Sequence, residues 1–385
     1  MITVGYIKQL IKDNIGAGLE PVQSTENHLK AAADWILRAQ QATPDDGVSH
    51  SYDIRAHKWL ASYPETTGYI IPTLYDYAKY YDAPQYAEAA RRMADWECAI
   101  QISDGGVRAG MIDAAVVAPT IFNTGQVLFG WAKAYLVTSD EKYKNSLVKA
   151  ADWLVAAQDS DGAWRRFSSP FTTSKLNSYN TRTAFGLVRA YQAVKNTQYL
   201  DAAIANVQWT LDRALPNAWL PDNCLTKNDN LASLTHTIAY SIRGILEVGV
   251  AAGRNDFIDH ALQMAKAVAR QQRHDGALPG FITPEWKPSV KWSCVTGNSQ
   301  MAINWLRLAQ VTTEKQLINN AAQANRFNMS TQDLTTEDLN VRGAIKGSHP
   351  INGGYMTYRY PNWATKFFMD GLMLEQKIDK IDNIG

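Results

Sequence analysis

A short turn sequence recurs at nearly constant spacing along the 385 residues, and this repetition constrains the fold more than any other feature of the chain. Most copies contain Asp-Gly or Gly-Gly, as in SDGGVRA and SDGAWRR, and one degenerate copy, PNAWLPD, lacks glycine. The copies are centred on Gly47, Gly105, Gly162, Asn217, Gly276 and Gly353. The intervals between them are 58, 57, 55, 59 and 77 residues, so the last interval carries an insertion. A fixed period of this length predicts one supersecondary unit repeated six times.

Segments with helical periodicity lie on both sides of each turn. The six segments before the turns have charged faces and span 28–40, 86–101, 143–158, 199–215, 257–272 and 317–332. The six segments after the turns are more apolar and span 66–81, 122–136, 179–193, 236–250, 296–310 and 362–376. One such hairpin cannot bury its apolar face alone, whereas six can close a ring. The sequence therefore predicts an all-α (α/α)6 toroid with a central cavity, an open solenoid being the alternative.

We expect one domain over residues 1–385, with repeats from about 25 to 376 and an N-terminal strap over 1–24. With 38 basic and 37 acidic residues, the chain has no nucleic-acid footprint and no polybasic membrane arm. Neither a secretory signal nor a run of ~20 apolar residues is present, so a cytoplasmic protein is expected. The three cysteines lack zinc-ligand spacing, and we expect neither a metal nor a cofactor. Twelve Trp and eighteen Tyr favour an aromatic-lined cavity, such as a sugar site.

The turn beginning at Gln158 fits the pattern QxxDGxW, and weaker copies begin at Gln101 and Gln272. This pattern resembles the QW repeat of terpenoid cyclases and protein prenyltransferases. The same turn is similar to those of six-hairpin glycosidases, polysaccharide lyases and sugar epimerases built on the toroid. The resemblance implies the scaffold over the six repeats, not the chemistry. Terpenoid cyclases need a DxDD or DDxxD motif, prenyltransferases need an Asp/Cys/His zinc set, and peptide cyclases need a Cys-His-Gly set. The sequence has none of these sets, so those functions are disfavoured.

The starts of the six apolar helices should meet at one mouth of the cavity, where free N–H groups favour a polar or anionic ligand. A threonine recurs there and is explained as a helix cap. The neighbouring column varies, as binding residues would, although asparagine is also a good cap. It contains Asn123, Asn180, His236 and Asn298.

Two further residues of these helices are candidates. Tyr240 lies four residues after His236, on the same helix face. Arg182 lies near the start of an apolar helix, where the helix dipole opposes a cation. It therefore requires an anion, which is either a protein carboxylate such as Glu65 or a group of the substrate.

The loops supply the remaining candidates for substrate binding. The segment 342–363 is rich in aromatic and basic residues, and inserted loops often carry function. Its alternative role is a stiff lid that closes the ring. The loop candidates are His50, Asp53, Trp292, Tyr355, Tyr358, Arg359 and Trp363.

Removing the C5 proton of a uronate needs a group that neutralises the carboxylate, a base, and an acid for the leaving oxygen. We expect Asn180 and Arg182 to hold the carboxylate, His236 to act as base or neutraliser, and Tyr240 to act as acid or base. The predicted function is therefore β-elimination on a uronate-containing poly- or oligosaccharide. The alternatives are a C5-epimerase, a hydrolase that pairs Glu65 with a loop aspartate, and a non-catalytic glycan-binding or scaffold protein.

Overall fold

A computed structural model of the protein describes residues 4–15, 19–225 and 231–382. Within these ranges the chain is mainly helical, with thirteen α-helices and short strands in the loops. The helices are α1 Val4–Asn14, α2 Thr25–Gln41, α3 Pro64–Tyr81, α4 Pro84–Ile100, α5 Ile121–Thr138, α6 Glu141–Ala157, α7 Thr181–Val194, α8 Thr197–Leu211, α9 Thr235–Ala252, α10 Asn255–Ala269, α11 Val295–Val311, α12 Leu317–Ser330 and α13 Asn362–Asp382. No helix in the described ranges is long and apolar enough to cross a membrane.

Six helices form an inner ring, because each contacts the next around a central axis. The order is α3, α5, α7, α9, α11 and α13, and α13 contacts α3 again. Each inner helix also packs against the outer helix that follows it, and α13 packs against α2. The backbones of α5 and α7 approach so closely that a Cβ on Gly186 would lie 2.2 Å from the Gly125 carbonyl oxygen. The closed (α/α)6 toroid is thus confirmed, and the open solenoid is excluded.

A glutamine at the end of the outer helix holds each typical turn in place. Gln158 Nε2 donates to the Gly162 carbonyl within its own turn at 3.0 Å and to the Ala202 carbonyl on α8 at 2.9 Å. The glutamine therefore joins one hairpin to the next outer helix. The same two hydrogen bonds, one within the turn and one to the neighbouring outer helix, are made by Gln40, Gln101, Gln272 and Gln332.

The sixth turn is centred on Gly343, and the prediction that placed it at Gly353 was wrong. Gly343 has a φ of +87°, and an added Cβ would lie 2.2 Å from the Ala31 carbonyl oxygen. Gly162 has a φ of +91° and the matching approach to Ala205, at 2.4 Å. Only glycine suits such a position, because the backbone is left-handed and the neighbouring helix touches it. The loop from Gly343 to the start of α13 at Asn362 is as long as the loops from Gly162 to α7 and from Gly276 to α11. The extra residues lie before Gly343, mainly between Gln332 and Gly343, and the Gly-Gly pattern of the loop after the turn misplaced the copy.

The first and last repeats are joined by strand pairing and by α1. The strands are β1 Ser51–Asp53, β2 Lys58–Trp59, β3 Ser233–Leu234, β4 Phe281–Ile282, β5 Ser293–Cys294, β6 Ser348–His349 and β7 Arg359–Pro361. β1 pairs antiparallel with both β2 and β7. On the same seam, Asp13 of α1 forms a fully buried ion pair with Lys346 at 2.7 Å and accepts a bond from the Ile351 N–H. These contacts close the ring.

Candidate active site

The N-termini of all six inner helices lie on the face of the long loops. Four inner helices lead into the next outer helix through two residues only, at 82–83, 139–140, 195–196 and 253–254, so the long loops occupy the opposite face. The N-terminal ends of the helix dipoles are positive and therefore converge on this mouth of the ring.

The recurrent threonine connects the turn to the inner helix, which differs from the predicted N-cap. Thr124 Oγ1 donates to the Thr120 carbonyl at 2.7 Å and accepts from the Val107 N–H at 2.9 Å. Thr67 makes the same two bonds, to Tyr63 and from Val48. These threonines are structural, because both hydrogen-bonding functions of the hydroxyl are used by the backbone.

His236 and Tyr240 stack on one face of α9, as their spacing predicts. Their ring centroids are 4.4 Å apart, and the ring of Tyr355 lies 5.4 Å from that of His236. Both residues of the pair are buried, with 5% and 3% of their surfaces exposed. The pair thus lies in a dry, aromatic environment where electrostatic interactions are strong.

In its neutral form, His236 has one ring nitrogen that carries a hydrogen and one that can accept a proton. Its Nδ1 lies 2.7 Å from Gln300 Oε1, and since that oxygen only accepts, Nδ1 carries the hydrogen. Burial lowers the pKa of His236 to about 4, with a smaller lowering by the charge of Arg182, while the bond to Gln300 opposes the shift. The imidazole is therefore neutral at pH 7, with its Nε2 lone pair available.

Tyr240 is suited to donate a proton. Burial raises its pKa above the ordinary value of 10, and the nearby Glu65 raises it further, against a lowering by Arg182. Its hydroxyl lies 3.5 Å from that of Tyr69, the limit of a hydrogen bond. A hydroxyl that keeps its proton at pH 7 can act as a general acid.

Arg182 is buried among aromatic rings and does not pair with Glu65. Its guanidinium carbon lies 4.3 Å from the ring centre of Phe129 and 5.6 Å from that of Tyr240. Its Nε donates to Gln126 Oε1 at 3.3 Å. Among the residues that the structure describes, no carboxylate lies within 4.0 Å of this guanidinium. Of the two anions expected for Arg182, the protein carboxylate is thus absent from the described chain.

Glu65 lies at the start of α3 and is only partly buried. The Tyr63 hydroxyl donates to its Oε2 at 2.6 Å. Loss of hydration raises the pKa of the carboxyl to about 7, although the bond from Tyr63 lowers it. Glu65 therefore keeps its proton to a higher pH than an exposed glutamate does, and in its protonated form it can donate as well as accept a hydrogen bond.

His50 lies on the other side of a Tyr355–Trp363 pair. The Trp363 indole N–H donates to the Tyr355 hydroxyl at 2.9 Å, and His50 contacts the Trp363 ring at 4.8 Å. His236 contacts the same pair through Tyr355. Burial lowers the pKa of His50 to about 3, with a further lowering by Arg359, so this imidazole is also neutral. Two neutral histidines thus flank one aromatic pair in the mouth.

Asn123 and Asn180 are nearly buried, at 4% and 6% exposure, in inner-helix starts adjacent to each other in the ring. Asn123 Nδ2 donates to the Arg108 carbonyl at 3.0 Å. Asn180 makes no capping bond to α7 and no side-chain bond to the described part of the chain, so its amide is free to bind a ligand.

Other sequence candidates lie elsewhere. Asn298 is fully buried, and its amide donates to Ala324 and Asn328 of the outer helix α12, so we leave it out of the site. Asp53 and Arg359 pair at 3.4 Å across the β1–β7 seam, and Tyr358 contacts Tyr6 of α1 there. Trp292 packs on Phe281 with centroids 5.6 Å apart. These four loop residues stabilise loops and seam, and Arg359 acts on His50 only through its charge.

Three residues of the site escaped the sequence reasoning. Tyr63 could have been found from Pro64, which marks the first residue of a helix and so places Tyr63 at the mouth. Lys366 lies 5.3 Å from the ring centre of Tyr69 and is a cation in the first half of an inner helix, a position similar to the one that singled out Arg182. Gln300 has no local signal, because its role depends on a histidine 64 residues away.

A cavity of about 400 Å³ lies along the axis of the ring on the far side of this cluster. Arg182, Tyr240 and Gln300 contribute to its wall, whereas His236 and Glu65 lie outside it. The layer of Arg182, Tyr240 and Gln300 therefore separates the mouth from the axial cavity.

The sequence matches no protein-family model and no curated protein. The structure, however, is similar to several solved structures. An unsaturated glucuronyl hydrolase specific for heparin aligns over 93% of this chain and 98% of its own, with a TM-score of 0.75 and 18% identity. A cellobiose 2-epimerase from Bacillus thermoamylovorans B4167 aligns over 91% of this chain and 98% of its own, with a TM-score of 0.73 and 9% identity. A polysaccharide lyase aligns over 94% of this chain and 99% of its own, with a TM-score of 0.64 and 12% identity. The chain has the (α/α)6 toroid fold of these enzymes. At these identities the similarity establishes the fold alone.

Proposed function

We propose that this protein is a carbohydrate-active enzyme that removes the C5 proton of a uronate residue in a poly- or oligosaccharide, with β-elimination as the outcome. The observation that carries the proposal is the buried Arg182 without a described carboxylate partner, 5.6 Å from the ring of Tyr240. A buried cation without a partner is costly, and a substrate carboxylate would compensate it. One toroid of similar structure is a glucuronyl hydrolase, which agrees with a uronate substrate.

The remaining groups supply the steps of elimination. Arg182 and the free amide of Asn180 neutralise the substrate carboxylate, which makes the C5 proton more acidic. His236 Nε2 removes that proton. The negative charge of the bound substrate raises the pKa of His236 from its low value in the free protein, which makes it a stronger base. Tyr240 donates its proton to the oxygen that leaves C4, so a C4=C5 double bond forms and the glycosidic bond breaks.

The geometry gives less support to a two-carboxylate hydrolase. Such an enzyme needs a second carboxyl group roughly 5–10 Å from the first. Glu65 is the acidic residue of the cluster, and no other described carboxylate contributes to its pKa shift. Among the aspartates that could pair with it, Asp222 is bound by Arg213 at 2.6 Å and Asp53 by Arg359.

A second candidate function, C5 epimerisation, is favoured by His50. Inverting a carbon requires one group that removes a proton and another that delivers a proton to the opposite face. His50 and His236 are both neutral and flank the Tyr355–Trp363 pair from different sides. Epimerisation would exchange the C5 hydrogen with solvent deuterium and leave the glycosidic bond intact.

The test is turnover of uronate polymers, followed by the ultraviolet absorbance of the conjugated double bond. We expect His236→Ala and Tyr240→Phe each to lose activity by about 10²-fold or more, the scale of a positioned acid or base. Arg182→Lys should retain more activity than Arg182→Ala, and Glu65→Gln should be comparatively mild. Tyr77→Phe, at a buried tyrosine that packs on Tyr81 and Tyr86, is the matched control.

Three outcomes would contradict elimination. Deuterium at C5 without the ultraviolet band would establish the epimerase. Loss of activity in Glu65→Gln and in one loop aspartate variant, with Tyr240→Phe active, would establish a hydrolase. Saturable glycan binding without any turnover would indicate a binding protein.

A further inference from the structure

The axial cavity is a separate feature from the mouth. All six inner helices contribute to its wall, through residues of both their N-terminal and their C-terminal halves. On α7 the lining residues run from Arg182 to Gln192, which corresponds to a depth of ~15 Å at 1.5 Å per residue. A volume of about 400 Å³ is in the range of small-molecule sites.

The wall of this cavity carries more positive than negative charge. Its acidic residues are Asp76 and Asp370, which pair with Lys133 at 2.7 Å and with Lys366 at 2.5 Å. The cations of the wall are Lys133, Arg182, Arg189, Arg243, Lys366 and Lys377. The other four cations, Arg182, Arg189, Arg243 and Lys377, form no ion pair with these two aspartates.

Glu247, just outside the wall, does not remove the excess. Its carboxylate is shared, because Arg243 and Arg307 both approach its Oε1 at 2.9 Å. Burial lowers the pKa of Lys366 to about 8. The charge of Asp370 opposes this shift, and the charge of Arg182 adds to it. The cations of the cavity therefore repel one another.

Compensation of helix dipoles explains only part of this arrangement. Cations stabilise the C-terminal ends of helices, and the last turns of α5 and α7 reach the outer part of the cavity. Arg182, however, is the second residue of α7, where the dipole opposes it, and it is only 6% exposed. It lines the cavity and has no described carboxylate within 4.0 Å. The cavity thus contains a buried cation whose anion the described chain does not supply.

We infer that the axial cavity binds a small molecule with two or more anionic groups, carboxylate or phosphate. One anionic group reaches Arg182 at the deep end, and a second meets Arg189 and Lys377, which are exposed at the outer end. The site opens on the face opposite to the mouth, so it excludes a polymer held at His236. The inference shares Arg182 with the site proposed at the mouth, so the two anions would compete for one guanidinium. Arg189 and Lys377 line the cavity alone, and variants of these two residues test the cavity without changing the mouth.

The experiment is isothermal titration calorimetry of the full chain with citrate and with inorganic pyrophosphate as probes. Triethyl citrate is the uncharged control, because a neutral sugar could bind at the mouth. We expect saturable binding of at least one anion, weakened by added salt, and none of triethyl citrate. Losing one charge-assisted contact should lower the affinity about tenfold or more in Arg189→Gln and in Lys377→Gln. The relative affinity of the two probes distinguishes a carboxylate ligand from a phosphate ligand.

Arg166→Gln is the matched control, since Arg166 is 58% exposed and lies outside the cavity. Its affinity should equal that of the wild type. Because both rim residues are exposed, their variants should fold, and thermal unfolding checks this. The inference is overturned if neither anion binds saturably, or if Arg189→Gln and Lys377→Gln bind as tightly as Arg166→Gln does.

Discussion

The carboxyl group of Glu65 links the chemistry of the mouth to the stability of the fold. Its pKa in the folded protein, about 7, lies above the ordinary value of 4.5. Between these pH values the folded protein retains a proton that the unfolded chain releases. The free energy of unfolding therefore falls as the pH rises through this window, and this contribution is constant above it.

Glu65→Gln should remove that dependence. We expect the melting temperature of the variant, relative to the wild type, to increase as the pH is raised from about 4.5 to about 7. Thermal unfolding followed by circular dichroism across this range measures the difference. Glu337→Gln, at an exposed glutamate, should show no such trend. A difference for Glu65→Gln that does not vary with pH would show that this carboxyl is not shifted.

At the residue scale, the sequence indicated which buried polar side chains need an ionic or hydrogen-bonding partner, but it did not identify the partner. The position of Arg182 near a helix start indicated a missing anion, and the structure shows no ion pair with Glu65. The tautomer of His236 could not be predicted, because it depends on Gln300 of the neighbouring inner helix. Likewise, the pKa of Glu65 depends on burial that only the closed ring produces.

Among the elements, the glutamine of the turn connects one hairpin to the next outer helix. Gln158→Ala would leave the carbonyl groups of Gly162 and Ala202 without this donor. The Gly162 carbonyl keeps a bond from Asn206 Nδ2 at 3.0 Å, so the expected loss is the net value of a hydrogen bond, about 0.5–1.5 kcal/mol for each bond removed. Urea unfolding measures it. The control is Gln198→Ala, at an exposed glutamine of α8, which should unfold as the wild type does. Equal midpoints for the two variants would contradict the proposed role.

The element boundaries followed from the sequence because periodicity and turn residues agree in five of the six repeats. Even the degenerate turn is built alike, since the Leu215 N–H donates to the Trp219 carbonyl as the Asp159 N–H does to that of Ala163. The sixth turn was misplaced because Gly343 is not preceded by Asp-Gly-type neighbours. Its identity depends on contact with Ala31 of α2, which is 312 residues away in the chain and adjacent only in the closed ring.

For the whole molecule, the buried pair of Asp13 and Lys346 is a test of ring closure. Lys346→Met would leave the Asp13 carboxylate buried without its cation, which costs about 3–5 kcal/mol. The double variant Asp13→Asn with Lys346→Met should recover most of this loss, because no buried charge remains.

Chemical unfolding of the three proteins measures both effects. The surface pair Lys30–Asp34 is the reference, and Lys30→Met should change the stability by about 1 kcal/mol or less. If Lys346→Met were as mild as Lys30→Met, the seam would not contribute to the stability of the ring.

Five of the six pairs of an inner helix and its outer helix are joined by a loop, whereas α13 and α2 pack together without one. α13 packs against α2 as α3 packs against α4, and Gln376 Nε2 donates to Glu26 Oε1 at 3.1 Å at this junction. The hairpins therefore have a cyclic order, and their set of neighbours is unchanged by rotation through one repeat. A circular permutant, with a loop joining α13 to α2 in place of α1 and a cut between α7 and α8, would keep the contacts among the twelve helices of the two rings and lose only those of α1.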